Sequence, residues 1–97
     1  MKAVFIAYNQ SITEEVQEIL DNQSIRGYTQ WTETFGRGSV KGDMHEGTHT
    51  RPEMNNVHLT IVEEKKVDAL LHDLQVLNSK VEEQGLRAFV WNIEQTI

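Results

Sequence analysis

The chain contains no cysteine, a single proline and no long hydrophobic run, and each absence excludes a class of protein. Without cysteine there are no disulfides, no thiolate metal sites and no cysteine nucleophile. No apolar run approaches the ~20 residues that a bilayer-spanning helix needs. Basic residues are also scarce, since 9 Lys and Arg against 15 Asp and Glu give a formal net charge of −6. Because nucleic-acid binding normally requires a basic patch, we expect no nucleic-acid partner.

The length of 97 residues and the hydrophobic content of 38% are typical of one domain with one modest core. We therefore expect a single domain over residues 1–97. The apolar start is too short for an export signal, and polar residues follow it at once. We interpret it as a first strand, and we expect a cytoplasmic protein without direct membrane insertion.

The spacing of apolar residues predicts four strands and two helices in the order β-α-β-β-α-β. The strands are predicted at residues 2–8, 28–35, 57–62 and 86–93. The first helix is predicted to begin at Ser11, because Ser11 and Glu14 have the spacing of a capping box. The second is predicted from Glu64 to about Asn78. The helical stripes consist of Ile12, Val16, Ile19 and Leu20, and of Val67, Leu70, Leu71, Leu74 and Leu77.

Right-handed crossovers for the two β-α-β connections give a ferredoxin-like α+β sandwich. Its four-stranded antiparallel sheet has both helices on one face, with the first and third strands in the middle. On the predicted second strand, Thr29, Trp31 and Phe35 share one face.

The predicted fourth strand is apolar on both faces, with Ala88 and Val90 on one side and Phe89, Trp91 and Ile93 on the other. Helices cover one face of the sheet, so two aromatic residues would be exposed in a single chain. Exposed apolar patches of this kind usually mark an interface. We expect a homo-oligomer, and the alternative is that the C-terminal residues fold back over the rings.

His58 lies on the predicted third strand, on the face opposite Val57 and Leu59. In an oligomer of this kind, we expect that face to point towards the centre of the assembly. His58 is then a hydrogen-bonded interior residue, with a ligand or pH-switch role as the alternative.

Residues 36–56 show no apolar periodicity and hold 4 of the 6 glycines and the single proline. Structureless loops of this length are usually functional or disordered, so we expect a long mobile loop that carries much of the function. Val40, Met44 and Met54 are spaced apolar side chains that either anchor in a partner's groove or pack locally. Lys41 and Arg51 complete the candidate partner-binding set.

His45 and His49 lie four residues apart in the same segment, with Asp43 and Glu46 beside them. Imidazole and carboxylate ligands suit zinc, nickel, copper or cobalt. The alternative is that both histidines are solvated in a polar loop. A divalent-metal-binding protein, linked to metal tolerance or efflux, is therefore the second functional hypothesis.

Two motifs and one strand resemble the PII signal-transduction family, the trimeric nitrogen regulatory proteins. Ile25-Arg26-Gly27-Tyr28-Thr29 is similar to the family's Ile-x-Gly-x-Thr motif at the second strand, and Phe35-Gly36-Arg37 is similar to the Phe-Gly-Arg that opens its T-loop. The strand Val57–Val62 lies where the family's chain leaves that loop.

This resemblance implies a ferredoxin-like homotrimer with nucleotide clefts between subunits and T-loops that contact target enzymes or transporters. It places Thr29, Gly36, Arg37 and Gly38 at the nucleotide cleft. Glycine amides approach a phosphate closely there, and an arginine pairs with it.

The chain also departs from the family pattern. The family's glycine-rich phosphate loop should lie near residues 79–86, where this chain reads SKVEEQGL. Its two adjacent glutamates would repel a triphosphate, so ATP is a poor candidate, and the predicted loop contains no tyrosine for nucleotidyl modification. The candidate cofactors are thus a nucleotide or a divalent metal, with neither certain.

No catalytic motif accompanies these features. Asn9-Gln10-Ser11 follows the first strand without the arginine or glycine that an acylphosphatase uses there. The sequence predicts a non-catalytic sensor that controls a partner transporter or metabolic enzyme through its loop.

Overall fold

The computed structural model of the chain describes residues 1–36, 54–81 and 85–97. The elements are β1 (Lys2–Asn9), α1 (Thr13–Asn22), β2 (Thr29–Thr34), β3 (Asn55–Val62), α2 (Val67–Lys80) and β4 (Arg87–Asn92). A short 3-10 turn precedes each helix, at Gln10–Ile12 and at Glu64–Lys66. This is the predicted element order. No helix in the described part of the chain is long and apolar enough to cross a membrane.

The four strands form one antiparallel sheet in the order β2-β3-β1-β4. β1 lies at the centre, where Lys2 pairs with Val62 of β3 on one side and with Asn92 of β4 on the other. The prediction that the first and third strands are the middle ones is confirmed. The fold is the predicted ferredoxin-like sandwich.

Both helices pack on the same face of the sheet and bury the predicted stripes. Val4, Ile6 and Tyr8 of β1 face the helices and are 0% exposed. The helix residues of this core are Ile12, Val16, Leu20, Val67, Leu70 and Leu74, with Ile19, Leu71 and Leu77 partly buried against them. Hydrophobic burial on this one face therefore organises the domain.

Several predicted boundaries differ from the structure by one to three residues, and local backbone geometry explains two of them. α1 begins at Thr13, and the preceding 3-10 turn has Asn9 as its N-cap, whose side chain accepts a hydrogen bond from the Ser11 N–H. β2 ends at Thr34, and an irregularity between Trp31 and Thr34 shifts its register against β3. Phe35 consequently lies beyond the strand, and the predicted common face of Thr29, Trp31 and Phe35 is wrong at its last member.

The face of the sheet without helices is apolar and exposed in the single chain. Phe5 pairs with Leu59 on one side and with Phe89 on the other, which places the three side chains on this face. Phe89 is 55% exposed and Trp91 is 47% exposed. Since residues 94–97 are themselves exposed, a C-terminal segment folded over the rings is not what the structure has. The predicted exposure of these aromatic rings is confirmed.

The predicted orientation of His58 is wrong. His58 pairs with Ile6, whose side chain faces the helices, so His58 points into the domain core and is 0% exposed. The alternation along β3 was predicted correctly, but Val57 and Leu59 lie on the face without helices. His58 is thus buried in its own chain and does not point towards another subunit.

Candidate functional site

The two ends of the predicted loop meet at one edge of the sheet. We call residues 33–36 and 54–56 the loop root. Thr34 pairs with Asn55, and the Thr34 hydroxyl donates a hydrogen bond to the Asn55 carbonyl oxygen at 2.7 Å. Strand pairing therefore holds together the points at which the chain enters and leaves residues 37–53.

The strand before the loop ends in a bulge with left-handed backbone. Glu33 has a φ of 55°, a conformation that residues other than glycine seldom adopt. Its backbone N–H donates to the side-chain oxygen of Asn56 at 3.1 Å. A side chain of β3 thus satisfies a donor that regular strand pairing would otherwise use.

Gly36 crosses directly over a side chain of β3. A Cβ at this position would collide with the amide nitrogen of Asn55. That nitrogen is the end of a flexible side chain, so Asn55 could move aside for a larger residue, but with glycine here the backbone of Gly36 is open to solvent or to a ligand.

The exit of the loop is fastened to the turn between β1 and α1. The Gln10 N–H donates to the Met54 carbonyl at 3.0 Å. The Asn56 side-chain nitrogen lies 2.8 Å from the hydroxyl oxygen of Thr13, which donates in turn to the Gln10 carbonyl at 2.6 Å. The loop root is consequently fixed to the turn between β1 and α1 as well as to the sheet edge.

A buried pair of rings lies beside this turn in the core. The Tyr8 hydroxyl and His58 Nδ1 are 2.7 Å apart, and the rings are stacked with centroids 5.6 Å apart. The ring of Tyr28 meets His58 edge to face at 4.7 Å. Among the described residues, His58 Nε2 has no hydrogen-bond partner. A neutral imidazole that accepts from the Tyr8 hydroxyl fits this arrangement.

Burial shifts the pKa of both groups towards their neutral forms. Desolvation lowers the pKa of His58 below its usual value. Desolvation also raises the pKa of Tyr8, although hydrogen bonds with Thr13 and Gln30 oppose the shift. The hydrogen bond between them therefore joins two uncharged groups near neutral pH.

The structure describes two of the four predicted ligand residues. Thr29 and Gly36 are both exposed, at opposite ends of β2. Thr29 pairs with Leu59 whereas Gly36 lies over Asn55, four residues along β3. At about 3.3 Å per residue, this separates them by about 13 Å, so they do not touch each other. Arg37 and Gly38 lie outside the described residues.

The other predicted site residues are mostly outside the described part of the chain. These are Val40, Lys41, Met44 and Arg51 of the partner-binding set, and the two metal candidates His45 and His49. Met54 is described and is half-buried at the loop root. Within residues 1–36, 54–81 and 85–97, no group of three or more His, Asp or Glu residues is arranged to hold a metal.

A surface depression that the sequence analysis missed lies beside Thr29. It is lined by Gln17 and Asp21 of α1 and by Arg26 and Tyr28 before β2. The Tyr28 hydroxyl donates to the side-chain oxygen of Gln17 at 2.9 Å, which fixes one wall. The motif at residues 25–29 could have indicated this depression, because it contains both a cationic side chain and an aromatic ring.

Asn55 and Asn56 of the loop root were also not predicted as site residues, although two polar residues at the start of an apolar strand are unusual.

The sequence profile of nitrogen regulatory protein P-II matches residues 1–97. The chain belongs to this family. Among curated proteins, no relative matches this P-II chain. The predicted family is therefore confirmed, and its name implies a role in nitrogen regulation.

Solved structures of PII-like proteins share the fold. CPII from Thiomonas intermedia K12, bound to ADP, AMP and acetate, superposes with a TM-score of 0.75 at 23% identity over 95% of this chain and 84% of that one. CPII bound to ADP and bicarbonate gives 0.73 at 26% identity, with the same coverage of 95% and 84%. A protein described as PII-like from Thermus thermophilus gives 0.66 at 22% identity over 95% of this chain and 85% of that one.

Proposed function

We propose that this P-II protein is a non-catalytic regulator that senses an adenine nucleotide at clefts between the subunits of a homotrimer. The loop over residues 36–56 then binds or releases a partner protein, either a transporter or a metabolic enzyme. The observation that carries the proposal is the apolar, exposed face of the sheet in a member of this family.

The trimer is supported by the chemistry of the sheet face without helices. Ile61 is 42% exposed there and lies in register with Trp91 on the other side of Ala3. Phe5 and Phe89 contact each other with ring centroids 6.5 Å apart, so the patch is continuous across β1 and β4. Burying such a patch against other copies removes apolar surface from water, at roughly 25 cal/mol per Å².

Nucleotide binding is supported by the relatives and by the open edge of β2. The CPII structures hold ADP with AMP or bicarbonate, and this chain shares their fold. Thr29 and Gly36 lie about 13 Å apart along that edge. We infer that an extended nucleotide spans them, with Gly36, Arg37 and Gly38 at the phosphate end and Thr29 towards the base.

Charge favours a nucleotide with few phosphates. In the sequence, Glu82 and Glu83 fall within residues 79–86, the segment to which the resemblance assigns the family's glycine-rich phosphate loop. Each further phosphate adds negative charge near these carboxylates, and like charges repel. We therefore propose that ADP or AMP binds in preference to ATP.

Sedimentation and calorimetry on matched variants test the proposal together. Trp91→Glu places a charge in the sheet face, and Val76→Glu places the same charge on α2 at a site of similar exposure, 41% against 47%. Wild type and Val76→Glu should sediment as trimers at micromolar concentration and bind ADP. Trp91→Glu should sediment as a monomer and lose ADP binding, because the cleft needs two subunits.

The outcomes separate the parts of the proposal. A monomeric wild type contradicts the trimer and with it the intersubunit cleft. A wild-type trimer that binds none of ADP, AMP and ATP, with or without bicarbonate, contradicts nucleotide sensing. ATP binding tighter than that of ADP contradicts the role assigned to the two glutamates.

A further inference from the structure

A polar network lies beneath the loop root, and of the proposed ligand and partner residues only Met54 takes part in it, through its backbone. Asn56 is its centre, and its side chain is 6% exposed. The carboxamide oxygen accepts from the Glu33 N–H at 3.1 Å, while the nitrogen donates to the Thr13 hydroxyl oxygen at 2.8 Å. One amide therefore joins the end of β2 to the first residue of α1.

The contacts continue into a closed ring. Thr13 donates to the Gln10 carbonyl at 2.6 Å, and the Gln10 N–H donates to the Met54 carbonyl at 3.0 Å. Met54 lies two residues before Asn56, so the chain itself completes the ring. Neighbouring hydrogen bonds in such a network strengthen one another, and loss of one member leaves others unpaired.

The backbone of Glu33 gives an independent reason for an asparagine at position 56. Its φ of 55° is unfavourable for a residue with a side chain, and the surrounding structure must hold it. The hydrogen bond from its N–H to Asn56 does so. A leucine has nearly the shape of asparagine but would leave this N–H and the Thr13 hydroxyl without their partner.

We propose that Asn56 is a positioning residue that locks both ends of the loop to the first turn of α1. Because Gly36 lies three residues after Glu33, the same lock sets where the glycine backbone meets a ligand. A nucleotide at Gly36 and a partner at the loop are then coupled through a fixed root. The lock stands on the contacts of one chain, whereas this coupling rests on the proposed function.

Native-state amide exchange by NMR tests the lock directly. The informative amides are those of Glu33 and Gln10, which donate to Asn56 and Met54. In Asn56→Leu both should exchange at least about fivefold faster than in wild type, the change that corresponds to losing one typical hydrogen bond. Thr13→Val removes one hydroxyl with little change of shape, and it should accelerate Gln10 in the same direction.

Thr60→Val is the matched control. Thr60 is buried whereas Thr13 is half-buried, and the Thr60 hydroxyl likewise donates to a backbone carbonyl, that of Gly27 at 2.6 Å, away from the loop root. It should destabilise the domain as Thr13→Val does, yet leave the exchange of Glu33 and Gln10 unchanged relative to the other β2 and β3 amides. If Asn56→Leu does not fold, Thr13→Val alone carries the comparison.

Two results would overturn the lock. One is exchange at Glu33 and Gln10 within twofold of wild type in the folded variants. The other is acceleration that is equal across the whole sheet and reproduced by Thr60→Val, which would reduce Asn56 to a general stabilising residue.

Trypsin cleavage after Lys41 separates the lock from the proposed function. In wild type, ADP should slow this cleavage, and in Asn56→Leu the effect of ADP should fall at least about fivefold when the nucleotide is saturating. If wild type binds no nucleotide, the proposed function fails while the exchange experiment still decides the lock. If ADP protects both proteins equally, the coupling through Asn56 is wrong.

Discussion

At the scale of single residues, the core of this domain is uncommon because it contains buried polar side chains. His58 and Thr60 occupy core positions of β3, where apolar residues usually stand. Each has a hydrogen-bond partner, Tyr8 for the histidine and the Gly27 carbonyl for the threonine. The imidazole remains neutral at this site, since desolvation penalises its charged form.

The lowered pKa of His58 makes stability depend on pH in a definite direction. Below the ordinary histidine pKa of about 6.5, the unfolded chain binds a proton that the folded chain refuses, so the free energy of unfolding decreases as the pH falls. The decrease is at most about 1.4 kcal/mol per pH unit, and it ends at the lowered folded-state pKa. Urea unfolding between pH 8 and pH 5 measures it.

Two histidine variants isolate this effect. His58→Gln should remove the decrease near pH 6, whereas His72→Gln, on the exposed side of α2, should retain it. An identical pH profile in wild type and His58→Gln would show that His58 is not the group responsible.

His58 was predicted to be an interior residue, but it was assigned to the wrong face of the sheet for an identifiable reason. Side chains alternate clearly between the two faces of β3, yet both faces carry apolar residues: Val57, Leu59 and Ile61 on one, and Val62 on the other. Because this sheet is apolar on both sides, hydrophobicity does not tell which face meets the helices. The pairing of His58 with Ile6 identifies the face that meets the helices, but strand pairing is a property of the folded chain.

At the scale of elements, every predicted strand and helix is present, and the residues of the predicted helical stripes are the ones that pack into the core. The errors lie at junctions: the bulge at Glu33 ended β2 early, although glutamate gives no sign of left-handed backbone. The start of α1 was assigned to Ser11 because of its spacing to Glu14, while Asn9, two residues earlier, caps the 3-10 turn that precedes α1.

The cap at Asn9 gives a prediction for the first helix. Replacing Asn9 by Ala should lower the free energy of unfolding by about 1 kcal/mol, since the Ser11 N–H loses an acceptor 2.8 Å away. Asn9→Asp keeps a side-chain oxygen for this hydrogen bond and should lose less stability than Asn9→Ala. Asn22→Ala, at the exposed far end of α1, is the control, and chemical denaturation provides the measurement. Equal losses for Asn9→Ala and Asn9→Asp would contradict a capping role.

The candidate site was predicted less completely than the fold, for reasons of geometry. The motifs identified Thr29 and Gly36 as ligand residues, but they lie at opposite ends of β2. The contacts of Asn56 join residues 23 and 43 positions away in sequence, Glu33 and Thr13. No local pattern predicts a network whose members are so far apart along the chain.

At the scale of the whole molecule, the exposed sheet face has a consequence for how thermal stability depends on protein concentration. If three chains bury that face together, dilution favours unfolding by mass action. The thermal midpoint of wild type should therefore rise by several degrees when protein concentration increases about 100-fold. Scanning calorimetry at several concentrations measures it, and Trp91→Glu should show no such dependence. A midpoint that is independent of concentration in wild type would contradict obligate association.

The position of β1 at the centre of the sheet has a consequence for how the protein is made. Its eight residues leave the ribosome well before their pairing partners, Asn55–Val62 and Arg87–Asn92. During synthesis, at least one hydrogen-bonding edge of this apolar strand remains unpaired until β4 has been translated. Contacts of such long sequence separation slow folding and prolong exposure to aggregation. Nascent chains stalled before β4 should therefore depend strongly on chaperones.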